Sequence, residues 1–490
     1  LVEEGAAVVC VDFGSTFTKA ALVDLATGDL LATASHPTTL PDGAGHGDVL
    51  DGYDACVAAL AEQDSRAVDA DVLACSSAGG GLRIAVVGNE ELVTAEAGRR
   101  VALSSGGKVV LVLSGGLDTT KLAELRAAEP DVVLLVGGTD GGNAEVLEGD
   151  ADFLARTPWP GPAVVAGNVE SQPLVADLLT GSGTPFVLAD NVVPKIGVLA
   201  PDSARRAIRE IFLTHVIGGK HLSSRTDARG RSFTGMVRGA TPDVVLTGVE
   251  LLARGLDEEH RGAGDVVVVD VGGATTDVHS VVELDPEDSG LAREVVATTP
   301  VTRTVEGDLG MRWSAISTVE AAGRDDLHAA AVRRRERPDL LPDSDEEQDA
   351  DLEIAAAAVR IALERHAGRS KVVYTPRSPD EALRAGAGLR GDPEKLVSPE
   401  GRVVERSGKD LREVDLLVGS GGVLRHGGPD AVRRVLLPAT GDAFEGGWQL
   451  PRDPVVVVDH DYVLAAAGLL AEEHPVAAHR LLRRLDAGTR

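Results

Sequence analysis

The chain has 490 residues, too many for one compact core, and its 77 Asp and Glu against 48 Lys and Arg give a net charge of −29. Such an acidic surface repels nucleic acid and anionic membrane, so neither is expected as a partner, and no stretch reaches the ~18–20 apolar residues of a membrane span. The three cysteines, Cys10, Cys56 and Cys75, are too few for a disulfide frame, and no basic stretch leads into an apolar one as in a signal peptide. Reduced core thiols and a cytoplasmic setting are expected.

In chain order, Val8–Val11, Ala20–Val23 and Leu30–Thr33 read as three antiparallel strands joined by tight turns. A helix over 48–63 and a strand over 72–76 follow, then further short strands over 81–116. From 118 to 218 apolar strands ending in Gly, Asn or Asp alternate with helices, the pattern of a parallel sheet with crossover helices. Asp140, Asn143, Asn168, Asp190 and Asn191 then fall on the rim beyond the strands' carboxyl ends, where such sheets carry ligands. Residues 219–241 are Gly- and Arg-rich without periodicity and read as a mobile connection. A helix over 244–256 leads into a second Val-rich strand at 266, a charged loop over 336–353 enters a helix ending near 366, and the chain closes in helices over 461–486. Trp159, Trp313 and Trp448 read as packing residues, and His215, His279 and His426 have no metal spacing.

The chemistry is carried by a repeat. VVCVDFGSTFTKAALVD (8–24) returns as VVVVDVGGATTDVHSVV (266–282): apolar strand, Asp, X, Gly, small residues, hydroxyls, apolar strand. A hairpin tip of glycine and small hydroxyl residues offers consecutive amide donors to a phosphate. An Asp at the end of the leading strand suits a hydrated magnesium ion, and Lys19 suits the charge of a β- or γ-phosphate. One such hairpin is an ordinary turn; two, one in each half of the chain, argue for a clamp on a polyphosphate. A third element, VDLLVGSGGVLRH (414–426), is a strand ending in glycines at a helix start, suited to adenine and ribose.

DFGSTFTK, DVGGATTD and VGSGGVLRH, in that order, resemble the phosphate-1, phosphate-2 and adenosine motifs of the actin/Hsp70/sugar-kinase superfamily. The resemblance implies an α/β protein of two ribonuclease-H-like lobes with ATP and Mg2+ in the cleft between them, divided here as 1–240 and 241–490. Asp12 and Asp270 would be the magnesium ligands through water. Gly14, Ser15, Thr16, Thr18, Gly272, Gly273, Thr275 and Thr276 would surround the phosphates, with Lys19 beside them, and Gly419, Gly421 and Gly422 would flank the adenosine. Asp277 reads equally as a second acid near the metal or as a solvated turn residue. For a catalytic base Asp140, Asp190 and Glu306 stay open, Asp140 also reading as an Asx turn.

A narrower resemblance runs over most of the chain. Together with those motifs, LLVGGTDGGNAEV, AGNVE, TRTVEGDLGMR and GKDL resemble the glutamate mutase accessory family, GlmL- or MutL-like. It implies a chaperone-like helper ATPase that exchanges damaged cobalamin in an adenosylcobalamin-dependent mutase or aminomutase. The segment 372–411 is long and charged and departs from that pattern. No D-x-H-x-x-G run is present, so the chain itself is not expected to bind cobalamin. A metabolite kinase, a hydantoinase- or oxoprolinase-like ATP-dependent amidohydrolase, and an actin-like scaffold are the alternatives.

Overall fold

The computed structural model describes residues 5–41, 46–157, 159–283, 299–374, 402–441 and 447–486. The first sheet begins with β1 (Ala7–Phe13), β2 (Phe17–Asp24) and β3 (Leu30–Pro37), an antiparallel meander, and β4 (Asp71–Ser76) lies parallel to β1. Between β1 and β4 the Val49–Gln63 helix starts at a capping box formed by Asp48 and Asp51. Val9, Val11, Phe13 and Leu22 face this helix, whereas Val8, Cys10, Ala21 and Val23 face the other way, as the two-residue period of a strand requires.

The chain then leaves the sheet. β5 (Leu82–Gly88), β6 (Gly107–Ser114), β7 (Val132–Leu135), β8 (Ala163–Val165) and β9 (Phe186–Leu188) form a wholly parallel sheet of order β6-β5-β7-β8-β9. The strands over 81–116 therefore open this inserted sheet and are not part of the first one. Its strands are near-continuous apolar runs because helices cover both faces. Residues 219–241 are not a loose connection. They carry the Phe233–Met236 helical turn, with Phe233 stacked edge-on against Phe13, and β10 (Val237–Ala240), which completes the first sheet beside β4. Asp227 anchors the approach to β10 through Tyr53 and Arg231.

One acid on the Glu145–Arg156 helix, which packs on the inserted sheet, carries a pH dependence. Asp150 is 2% exposed, accepts the Leu117 amide, and is pushed up to about 6 by burial. Its unfolded counterpart titrates near ~3.9. The folded state therefore holds the proton more tightly, and this stabilisation, present below about pH 4, fades as pH rises through about 6. The effect is worth at most about 3 kcal/mol. Asp150→Asn is expected to flatten the melting temperature between pH 4 and 7; an unchanged profile would mean another group sets it.

The second lobe repeats the first sheet strand for strand. β11 (Val266–Val271), β12 (Thr276–Val281) and β13 (Val301–Glu306) form the meander. After the long Asp345–His366 helix and an antiparallel pair, β14 (Arg369–Tyr374) with β15 (Arg402–Ser407), come β16 (Leu416–Ser420) and β17 (Val455–Val458), both parallel to β11. The orders β10-β4-β1-β2-β3 and β13-β12-β11-β16-β17 are one topology read from opposite edges. This is the two-lobed α/β fold of ribonuclease-H-like sheets that the motif resemblance implies. β17 is an addition to the sequence reading, which placed only helices at the chain's end. Within the 372–411 segment, residues 375–401 lie outside the described residues.

The lobes share a core. The Thr241–Arg254 helix, which follows β10, and the Val463–Leu470 helix, which follows β17, pack together between the two inner sheet faces. Val8, Cys10, Leu73 and Cys75 from one lobe and Val266, Val268, Leu416 and Val418 from the other close on them. The helices cross backbone against backbone: a methyl at Gly248 would overlap the Leu464 carbonyl, and one at Gly468 the Val244 carbonyl. The three cysteines are buried and free, and Trp159 is buried, but Trp313 is 61% exposed and joins no core cluster among the described residues.

Candidate functional site in the cleft between the lobes

Both hairpins turn in the same way. Gly14 donates its amide to the Phe17 carbonyl at 3.2 Å, and Gly272 donates to the Thr275 carbonyl at 2.9 Å. Asp12 lies opposite Lys19 in the first hairpin, and Asp270 opposite Asp277 in the second. Each tip is braced from its own lobe. Thr38 donates its hydroxyl to the Gly14 carbonyl and its amide to the Thr16 carbonyl. Met311 and Arg312 donate their amides to the carbonyls of Gly272 and Gly273, at 3.0 and 2.7 Å.

Alternation aims Asp12 and Asp270 into the space between the lobes. Asp12 is 5% exposed, accepts the Thr241 hydroxyl at 2.6 Å and the Cys75 thiol at 3.6 Å, and faces Lys19 Nζ at 3.8 Å. Burial pushes the Asp270 carboxyl up to about 6. Lys19 opposes that shift, and the carboxylates of Asp277, Asp12 and Asp459 add to it. Asp270 therefore feels the Asp12 carboxylate across the cleft, and the gathered negative charge is of the kind a divalent cation relieves. Among the described residues no group of three or more His, Cys, Asp or Glu is arranged to hold a metal directly. The donor set fits an ion held through its own water shell.

Ser15 and Thr16 are exposed at the first tip, and Gly273 and Thr275 are half-buried at the second. Thr18 and Thr276 lie elsewhere. Each is fully buried on the opposite face of its strand, Thr18 against the Thr38 hydroxyl at 3.1 Å and beside Gly52, so their side chains do not reach the cleft. Gly419 and Gly421 press into the second lobe. Gly421 adopts φ +103°, and a methyl there would overlap the carbonyl of Val271, the residue before Gly272. Gly422 is exposed and opens the Gly422–His426 turn of helix.

Asp140 is not brought to the cleft. Its Oδ1 accepts from Asn191 Nδ2 at 2.8 Å and the Val169 amide at 3.3 Å, on the rim of the inserted sheet. Asn168 and Asn191 hold the same Gly-rich loop through the Gly142 and Gly138 carbonyls. Asp190 lies on that rim too, its amide bonded to Ser203. Glu306 ends β13 near Asp277, but Arg365 engages it at 2.7 Å.

Three groups in the cleft carry no earlier assignment. Thr241 opens the helix after β10 and bonds Asp12. Asp459 is buried, receives the Val463 and Leu464 amides, and is shifted up by that burial. Tyr462, held at φ +60°, lays its ring 3.5 Å under Lys19 Nζ and 5.3 Å from the Arg425 guanidinium. The signal for the last two was present: VVVVDHDY (455–462) is a further apolar run ending in Asp. A cavity of about 140 Å³ lies here, lined by Cys10, Asp12, Lys19, Arg425, Asp461 and Tyr462. A larger one, about 830 Å³, is walled by Glu258, Glu413, Asp415 and Arg452 at the leading ends of β11, β16 and β17. Ligand crevices of such sheets lie beyond the trailing ends, so the smaller cavity, lined by the first hairpin and the residues around Tyr462, is the candidate of the two.

Comparison with known proteins places the chain. Weak structural likenesses extend to nucleotide-free acetone carboxylase (16% identity, 63% of this chain and 48% of that one, TM-score 0.29). They include the ethanolamine utilization protein EutJ of Carboxydothermus hydrogenoformans (10% identity, 97% and 89%, TM-score 0.24). An inorganic polyphosphate/ATP-glucomannokinase of Arthrobacter sp. strain KM is similar at 12% identity over 98% and 99%, TM-score 0.25. The strand order of the two sheets, not these likenesses, defines the fold. In sequence, Protein MutL of Clostridium tetanomorphum is 35% identical over 491 aligned residues, 98% of each chain. The family described as MutL protein matches residues 8–390 and 390–485. The chain belongs to the MutL family, the glutamate mutase accessory group that its motifs resemble.

Proposed function

We propose that this chain is an ATP-hydrolysing, chaperone-like accessory protein that reactivates an adenosylcobalamin-dependent mutase or aminomutase. One observation supports the ATPase part above the others: two hairpins of one design, from two sheets of one topology, bring Asp12, Lys19 and Asp270 to a single cleft. Asp12 and Asp270 would hold a hydrated magnesium ion, which would neutralise charge on the phosphates. The tip amides at Ser15, Thr16, Gly273 and Thr275 would bind the phosphates; Gly419 and Gly421 would seat the turn against the second lobe, and the exposed Gly422 would leave room for the adenosine. Lys19 would turn from the Tyr462 ring to the phosphate, exchanging a cation–π contact for a charge-assisted one. A cavity of about 140 Å³ is below the ~300–1,000 Å³ of typical ligand sites, so the lobes, parted at 240/241, would open to admit nucleotide and close on it. That motion would be the stroke that loosens damaged cofactor in the partner.

The test is reactivation. A mutase inactivated by turnover, mixed with this protein, MgATP and free adenosylcobalamin, is expected to regain activity only when all three are present. Recovery without nucleotide would sink the ATP-driven stroke. The kinase reading is disfavoured because Asp140 and Asp190, either of which would be its base, both lie on the rim of the inserted sheet and not between the hairpins.

A further inference from the structure

The inserted parallel sheet has no part in the nucleotide cleft, yet one turn of it touches the supports of both hairpins. The Glu96–Ser104 helix ends at Leu103–Gly107 and packs against β13, the edge strand of the second lobe. From β13, Arg303 reaches in both directions. Its guanidinium donates to Asp277 Oδ1 at 2.7 Å, and to the Leu103 and Gly107 carbonyls at 3.1 and 3.4 Å. Arg303 is 5% exposed, and its Nε finds no acceptor among the described residues. A buried guanidinium with one donor unsatisfied is costly, and lysine or an apolar residue would fill this space more cheaply if packing were its task. What the arginine fork adds is a rigid link between two partners at once.

The same turn leans on the first lobe's side of the cleft. A methyl on Gly106 would meet the Asp243 backbone at 2.7 Å, so the turn lies against the start of the Thr241–Arg254 helix. Thr241, two residues earlier, donates its hydroxyl to Asp12. Asp243 is held by Arg209 at 2.6 Å, which leaves that helix start little freedom to yield. The turn is therefore wedged between two chains of contact. One runs through Arg303 to Asp277, which lies across from Asp270, and the other runs through the helix start to Asp12. If the hairpins change their separation, the turn cannot keep both contacts unchanged.

Resting on the reading that the hairpins clamp a nucleotide, we infer that Arg303 couples the state of the second hairpin to the inserted sheet through the Leu103–Gly107 turn. The inserted sheet is then the element that moves in response to nucleotide, and Arg303 is a positioning residue for that response. Loss of the Asp277–Arg303 contact frees the helix end on one side only, which tips the sheet relative to the second lobe.

Hydrogen exchange of the full chain, followed by mass spectrometry at saturating MgATP and without nucleotide, reads this directly. In the wild type, peptides spanning 96–114 are expected to change their exchange rates several-fold between the two states. In R303M that difference is expected to fall by more than two-thirds at saturation. R303K, which keeps the charge but reaches only one partner at a time, is expected to lose most of it as well and carries the test if R303M does not fold. An arginine with a merely structural role would shift the baseline of both states together and leave their difference intact. A full nucleotide response in R303K, or none in a wild type shown to bind MgATP, would overturn the coupling. If the wild type binds no nucleotide at millimolar MgATP, the clamp reading fails first, and equilibrium binding measured alongside separates the two failures.

Discussion

Asp12→Asn is expected to lower magnesium-dependent ATP turnover by about 10²–10³-fold, the cost of removing one preorganised electrostatic group from a water-poor site. Asparagine keeps the shape and one oxygen that can still accept from Thr241 and Cys75, so the fold is retained while the charge is lost. That loss would fall on the proposed magnesium site and on Lys19, which faces Asp12 at 3.8 Å. Asp270→Asn is expected to act similarly. Asp277→Asn is expected to cost less, because Arg303 already neutralises that carboxylate at 2.7 Å. The ranking is the test: single-turnover hydrolysis with Asp12→Asn within threefold of wild type, or with Asp277→Asn the worst of the three, would remove Asp12 from the site. Melting curves for each variant separate loss of chemistry from loss of fold.

The second large effect is expected at the helix crossing. Gly468→Ala places a methyl inside the Val244 carbonyl, and Gly248→Ala does the same against Leu464. In an open helix either change would stabilise by up to ~1 kcal/mol. Here the obstacle is backbone that cannot rotate away, and overpacking of this kind typically costs about 1–3 kcal/mol, more for valine. Gly468→Ala is therefore expected to lower the melting temperature by several degrees and Gly468→Val by more, with ATP turnover falling because the lobes no longer close to the same distance. A Gly468→Val protein that melts and turns over like the wild type would show that the helices do not cross this closely.

Much of this arrangement was legible in the sequence because it is written twice. VVCVDFG and VVVVDVG announce two equivalent hairpins, and the apolar runs between 131 and 191 announce a parallel sheet. The burial of Thr18 and Thr276 was legible too: if Asp12 and its cross-strand partner Lys19 face the cleft, the neighbouring Thr18 must face away. Other parts were hidden for physical reasons. β10 has four residues and follows a Gly- and Arg-rich stretch whose order comes from long-range bonds to Tyr53, so no local period reveals it. Thr241 meets Asp12 from far along the chain, and only the folded topology brings them together. The Lys19–Tyr462–Arg425 stack joins residues from three segments and depends on a backbone angle at Tyr462 that nothing in its side chain favours.

The shared core also bears on how the protein is made. The face of the first sheet that carries Val8, Cys10, Leu73 and Cys75 is closed in part by the Val463–Leu470 helix, close to the end of the chain. After β10 leaves the ribosome, roughly 220 more residues must be translated before that helix emerges, or ~10–45 s at common elongation rates. Through that interval a valine-rich sheet waits with part of one surface wet. A newborn chain of this protein is thus expected to be a client of holding chaperones before it can serve any partner of its own, and slower translation would lengthen that dependence.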